Sequence, residues 1–217
     1  MCERPIDWKK LTPIAGGADS EVYRDYERGT VVKLYHNADL DLIRRYMELT
    51  NSAAAFLANN RRLGTIEMDG ETWQMAVEVV PIIEVIDYEG CPIGISSYVA
   101  GPKLDSFFGQ ARFYDCDLWG PENAKEKAFL DSLQASLPQR PGTYGQLSSY
   151  IRPVSRILNE ALGVGGILFG SINVKLRADV SEKMLRFVIT DIADSIERIS
   201  FEVQRDFSGS PVPSFGN

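Results

Sequence analysis

The chain has 217 residues, 44% of them hydrophobic and 24% charged, with a net charge of −7 and a pI near 4.9. That acidity argues against a role built on contacts to a nucleic-acid backbone. The apolar run Leu162 to Val174 is too short and too glycine-rich to span a bilayer, so no membrane partner is expected, and the length suits one functional unit with a single core or two small lobes.

Taken in order, the first elements read as strand, tight loop, strand, turn, strand. Leu11 to Ile14 and Glu21 to Tyr26 flank the small-residue loop Ala15-Gly16-Gly17-Ala18-Asp19-Ser20, and Glu27 to Thr30 supplies turn chemistry. Val31-Val32-Lys33-Leu34-Tyr35 is β-branched and aromatic, as a strand requires. Glycine in the first loop lets the backbone approach a ligand, with its N–H groups facing phosphate oxygens. Asp39 is placed to cap a long helix that runs through Tyr46, Met47 and Ala53 to Leu57. Pro121 opens an amphipathic helix over Glu122 to Leu137, with Ala124, Ala128, Leu130, Leu133 and Leu137 as its apolar positions. A proline-glycine segment, Pro138 to Gly145, leads to a second helix from Gln146 to Leu162, whose Leu147, Ile151, Val154, Ile157, Leu158 and Leu162 form a buried face. Phe187-Val188-Ile189-Thr190-Asp191 brings an apolar strand to an acid.

The set of motifs in this order resembles the protein kinase-like superfamily. Ile14 to Val22 is similar to its glycine-rich loop, with Ala15 where the first glycine usually stands, Gly17 at the second and Ser20 at the third. Lys33 matches the strand lysine that contacts phosphates. Ile93 to Gly101 looks like the fifth strand entering a hinge, where Ser97 and Val99 would offer main-chain groups to adenine. Ile167 to Leu176 resembles the catalytic loop and the strand after it, with Asn173 at the metal-binding asparagine, and Asp191 matches the magnesium-binding aspartate. The resemblance implies an α+β, two-lobed kinase-like fold: residues 1–101 as an N-lobe with an antiparallel sheet, one helix and the hinge, residues 102–207 as a reduced, mainly helical C-lobe, and residues 208–217 as a loose tail. It implies ATP and Mg²⁺ as cofactors, Gly16 and Gly17 over the phosphates, Val22 against the nucleotide, and Glu48 as the helix acid that orients Lys33. The acceptor would be a protein or small-molecule hydroxyl.

The departures matter as much. Five residues before the metal asparagine, where active relatives carry the aspartate that handles the acceptor's proton, stands Leu168; a shifted alignment offers only Ser171. Asp194, beyond the metal aspartate, reads as the cap of a helix near Ser195 to Arg205, and little sequence follows it to hold a peptide substrate. The pattern therefore fits a minimal kinase of the small archaeal or bacterial effector sort, or a pseudokinase that serves as a partner-binding module. The aromatic and acidic stretch Arg112 to Trp119 is a candidate partner surface. Cys2, Cys91 and Cys116 are odd in number and lack metal-ligand spacing, and the single histidine, His36, reads as an exposed turn residue. No signal segment is evident, so a reducing cytosol is expected, that of the producer or of a host cell receiving the protein.

Overall fold

The structure, a computed structural model, describes residues 6–16, 20–60, 62–68, 70–104, 123–136, 142–169, 173–193, 196 and 199, with only the backbone of 68, 136 and 142–150. Gly17, the segment 112–119, Pro121, Leu137, Ser171, the Asp194 cap with most of the expected helix after it, and the tail lie outside these residues. So do Cys2 and Cys116.

The fold is α+β. A 3-10 turn, Trp8–Lys10, precedes strands β1 (Leu11–Gly16), β2 (Ser20–Asp25) and β3 (Thr30–Tyr35), then helix α1 (Leu40–Asn59). Four strands follow, β4 (Arg62–Met68), β5 (Glu71–Val79), β6 (Ile82–Tyr88) and β7 (Cys91–Ser97), before helices α2 (Ala124–Ser136) and α3 (Gly142–Leu162) and the hairpin β8 (Val174–Asp179) and β9 (Met184–Ile189). Among the described residues no helix is long and apolar enough to cross a membrane.

Two compact units result: Met1–Asn51 with Pro81–Tyr98, and Ser52–Val80 with Val99–Asn217. The sequence suggests a division after residue 101; in the structure the chain passes between units more than once. The cause is β5, whose residues Gln74 to Val79 pair in parallel with Met184 to Ile189 of β9, tying residues 52–80 to the second unit.

The first unit carries an antiparallel sheet in the order β1-β2-β3-β7-β6. Its strands form where β-branched and aromatic residues recur, and the β2–β3 turn closes at Gly29, whose φ of 63° suits glycine. Ile6, Val32 and Ile93 form the apolar cluster on one face, with Trp8, Tyr23 and Ile95 packed against it. Trp8 meets Tyr23 and Tyr88 edge-on. Helix α1 starts as expected: Asp39 Oδ1 accepts from Leu42 N at 2.7 Å, and Ile43, Tyr46 and Leu49 are its buried apolar positions in this unit.

One polar residue of that helix has a structural task the sequence does not announce. Asn51 Nδ2 donates to Ile82 O at 3.0 Å, and Ile82 N donates to Asn51 Oδ1 at 2.9 Å, so the amide stands in for a strand partner at the start of β6. Ile82 is buried, and Asn51→Ala would strand its N–H and C=O. We expect a loss of about 1–3 kcal/mol in urea denaturation; an unchanged midpoint would show that water replaces the amide.

The second unit holds the mixed sheet β4-β5-β9-β8 and helices α2 and α3. Met75, Val77, Leu176, Leu185, Phe187 and Ile189 are fully buried in it, and Trp73 stacks on Phe129 of α2 at 4.3 Å between centroids. On α3, Ile151, Val154, Ile157 and Leu158 are buried as their spacing predicts. On α2, Leu130 and Leu133 are buried, but Ala124 and Ala128 are exposed and the third buried position is Glu126.

Candidate functional site

In the first unit the β1–β2 hairpin presents Gly16 at its end, paired with Glu21. A Cβ at Gly16 would meet nothing within 4 Å, so no packing among the described residues demands glycine there. Ser20 opens β2 opposite Tyr35, and Val22 lies opposite Lys33. Lys33 sits mid-strand and half-buried, with Gly94 of β7 on its other side. Its Nζ stands 5.1 Å from the ring centroid of Tyr35, a buried ring that Gly94 accommodates: a Cβ at Gly94 would come within 3.3 Å of it. Strand alternation puts Ser20, Val22 and Arg24 on the face of the sheet that carries Lys33 and Tyr35. Glu48 occupies the exposed side of α1 and forms no ion pair among the described residues. Ser97 ends β7, exposed and paired with Thr30.

In the second unit the β8–β9 hairpin brings Asn173 and Asp191 to one end. Val174 pairs with Ile189, and Thr190 closes the hairpin mouth by donating to Asn173 O from both its N, at 2.8 Å, and its Oγ1, at 3.1 Å. Both site residues are half-buried, and Asp191 Oδ1 accepts from Ala193 N at 3.5 Å. Nearby in sequence, Asn159 of α3 clamps the backbone of Ile167: Ile167 N donates to Asn159 Oδ1 at 3.0 Å and Asn159 Nδ2 donates to Ile167 O at 2.9 Å. This fixes Leu168, which bridges Ala193 in parallel and exposes 56% of its surface. The chain thus sets position 168 beside the Asp191 segment, with an aliphatic side chain there.

Val99 has a partner that sequence reasoning did not foresee. Its carbonyl accepts from Lys175 Nζ at 2.8 Å, and Lys175 is itself buried. The segment beyond it runs against β8, with Leu176 N donating to Pro102 O at 2.9 Å; Gly101, at φ 118°, lies where a Cβ would come within 2.7 Å of Leu176 O. Glycine is required there by close approach.

The strongest charged assembly is also in the second unit. Glu126 Oε1 accepts from Arg177 Nε at 2.6 Å and from Ala178 N at 2.8 Å, while Oε2 accepts from Arg177 Nη2 at 2.7 Å. Arg186 adds contacts to Glu78 at 3.2 Å and to Asp179 at 3.6 Å. These residues line a cleft of about 590 Å³ with Val99 and Val188. The Asp179 carboxyl is held below its ordinary range first by the Ser181 hydroxyl, then by the Glu182 N–H. Its depressed value means that this turn gains stability above the usual carboxylate range and loses it as the pH falls through the folded value. In the first unit a hydrogen bond to Glu21 raises the Tyr23 hydroxyl, with burial adding to it. Among the described residues no group of three or more His, Cys, Asp or Glu side chains is placed to hold a metal on its own.

No family model matches the chain, and no curated protein matches it. Among solved structures it is similar to the crystal structure of the Mycobacterium tuberculosis PknI kinase domain, a double mutant, at 13% identity and a TM-score of 0.42. That match covers 86% of this chain, which spans 61% of the other's length. The likeness is a weak one to a kinase fold and assigns no residue a role.

Proposed function

We propose that the chain is a kinase-like domain that takes up Mg-ATP and passes the γ-phosphate to a hydroxyl of a protein or small-molecule acceptor. The observation that supports this reading is the β8–β9 hairpin mouth, where Thr190, the residue before Asp191, donates to the Asn173 carbonyl. A side-chain amide oxygen and a carboxylate suit magnesium, which takes few protein ligands and completes its shell with water and phosphate oxygens. Bound there, the ion would neutralise charge on the phosphates.

In this reading Lys33 neutralises phosphate oxygens, the open space at Gly16 lets the hairpin backbone lie over them, and Val22 lies against the nucleotide. Gly17 shares the loop role, Ser20 supports it, and Ser97 and Val99 offer main-chain groups to the base. With the Val99 carbonyl engaged by Lys175, its N–H is the group left for that purpose. Glu48 would have to turn from the exposed side of α1 to reach Lys33.

In the transfer, the acceptor oxygen bonds to the γ-phosphorus as the bond to the bridging oxygen of ADP breaks, and the acceptor's proton leaves to solvent. Leu168 supplies no base. A loose transition state tolerates that, since positioning and charge neutralisation dominate. The exposed Leu168 also favours a second reading, a pseudokinase that binds nucleotide and a partner without transfer. A cytosolic setting, without nucleic acid or membrane as partner, accompanies either reading.

The test is thermal stabilisation by ATP with and without magnesium. The parent should gain about 2.7 kcal/mol of apparent stability at a hundredfold excess of ligand over Kd. Lys33→Ala and Asp191→Ala should lose that gain while unfolding cooperatively. Equal stabilisation of parent and variants would sink the site assignment.

A further inference from the structure

Arg24, in β2, is 9% exposed, and its Nε and Nη1 are enclosed without a hydrogen-bond partner among the described residues. Its Cζ stands 3.6 Å from the ring centroid of Tyr98 and 4.3 Å from that of Tyr26. A guanidinium stays charged at any pH the protein meets, so burial cannot be relieved by losing a proton. Aromatic faces stabilise its charge but leave N–H groups unpaired, and enclosed donors of that kind are rare in folded proteins. The acid next in sequence is engaged elsewhere: Asp25 Oδ1 accepts from Arg28 N at 3.0 Å, and Asp25 Oδ2 lies 3.7 Å from Arg28 Nε.

The two rings differ in freedom. Tyr98 is tied down, its N donating to Gly29 O at 2.9 Å. Tyr26 begins the β2–β3 turn and exposes 53% of its surface. We propose that Arg24 binds an oxyanion group of a ligand, phosphate or carboxylate, with Tyr98 as the fixed support and Tyr26 as a cover that swings aside. The ligand then lies on the Lys33 face of the sheet, because Val22 pairs with Lys33 and Arg24 with Val31. The proposal stands on the unpaired guanidinium and is independent of the nucleotide reading.

The ¹⁵N-labelled protein would be titrated with inorganic phosphate and, separately, with acetate, following the Arg24 Nε–H resonance and the melting temperature. The resonance should move saturably with at least one anion, and the melting temperature should rise by about 2–4 °C, the shift that corresponds to a stabilisation of one factor of five or so in the folding equilibrium. A response to phosphate alone marks a phosphate ligand; one to acetate alone marks a carboxylate. Arg24→Met should melt higher than the parent without anion, since it removes an uncompensated charge, and should not respond to either anion. The proposal is overturned if the resonance stays still with both anions, if Arg24→Met melts lower as a purely structural stack requires, or if Arg24→Met keeps the parent's melting-temperature response to anion.

Discussion

Glu126→Ala is expected to destabilise the protein by about 3 kcal/mol, the lower end of the range for breaking a buried ion pair. The carboxylate does three things at once: it holds Arg177 through two oxygens and accepts from the backbone of Ala178, so that α2 is fastened to the edge strand β8. Its side chain is 10% exposed and that of Arg177 27%. Alanine would leave the Ala178 N–H buried without an acceptor and Arg177 short of its counter-ion. The partial exposure of Arg177 lets water soften the loss, which is why the lower end applies. At about 2–4 °C per kcal/mol for a chain of this size, the melting temperature should fall by roughly 6–12 °C. The double variant Glu126→Leu with Arg177→Leu should recover part of the loss, because it removes both charges together. A fall of only a degree or so in the single variant would mean that the pair is solvated and the helix is held by Leu130, Leu133 and the Trp73–Phe129 stack instead.

The second large effect concerns the proposed phosphotransfer. Leu168→Asp should raise phosphotransfer by about 10²-fold, the lower end of what general-base help contributes. Leu168 exposes most of its side chain, so the exchange gives up little buried apolar surface. The backbone there is fixed from two sides, by the Asn159 clamp on Ile167 and by the bridge to Ala193, so the new carboxylate would have a defined place beside the Asp191 segment. Transfer of label from ATP to an acceptor, followed at matched ATP occupancy, reads the change. A gain that appears only in Leu168→Asp would mark the parent as a nucleotide-binding domain with its transfer step weakened. No gain, with ATP binding retained, would show that the acceptor hydroxyl does not approach position 168.

Local patterning made much of this fold legible. The β-branched and aromatic run of β3, the turn at Gly29 and the Asp39 cap are each written in a few neighbouring residues, and α3 buries Ile151, Val154, Ile157 and Leu158 as its spacing indicates. The strands β4 and β5 were not read from the sequence: in β5 Ala76 is buried between Met75 and Val77, so no strict alternation marks the strand, and its pairing is long-range. Nothing near Val77 in sequence says that it will lie beside Phe187 in a parallel register. Glu126 reads in the sequence as an exposed charge on an amphipathic helix, and only the approach of β8 makes it a buried one. Arg24 is similar: an arginine in an edge-proximal strand looks solvated until Tyr26 and Tyr98 close over it. Asn173 and Asp191 were legible as candidates because each ends an apolar run, and the hairpin that joins them follows from pairing Val174 with Ile189. The partner of Lys175, the Val99 carbonyl, was not, because the contact spans 76 positions of sequence.

If Asn173 and Asp191 hold the metal of a bound nucleotide, as proposed, a paramagnetic ion in its place will mark them. The most direct measurement replaces magnesium with paramagnetic manganese in ATP and follows line broadening in the amide spectrum of the labelled protein. Mn-ATP should broaden Asn173, Thr190 and Asp191 first, and Asp191→Ala should abolish the effect. Broadening confined to other residues, such as those of the cleft lined by Glu78 and Asp179, or no broadening at all at saturating Mn-ATP, would overturn that assignment.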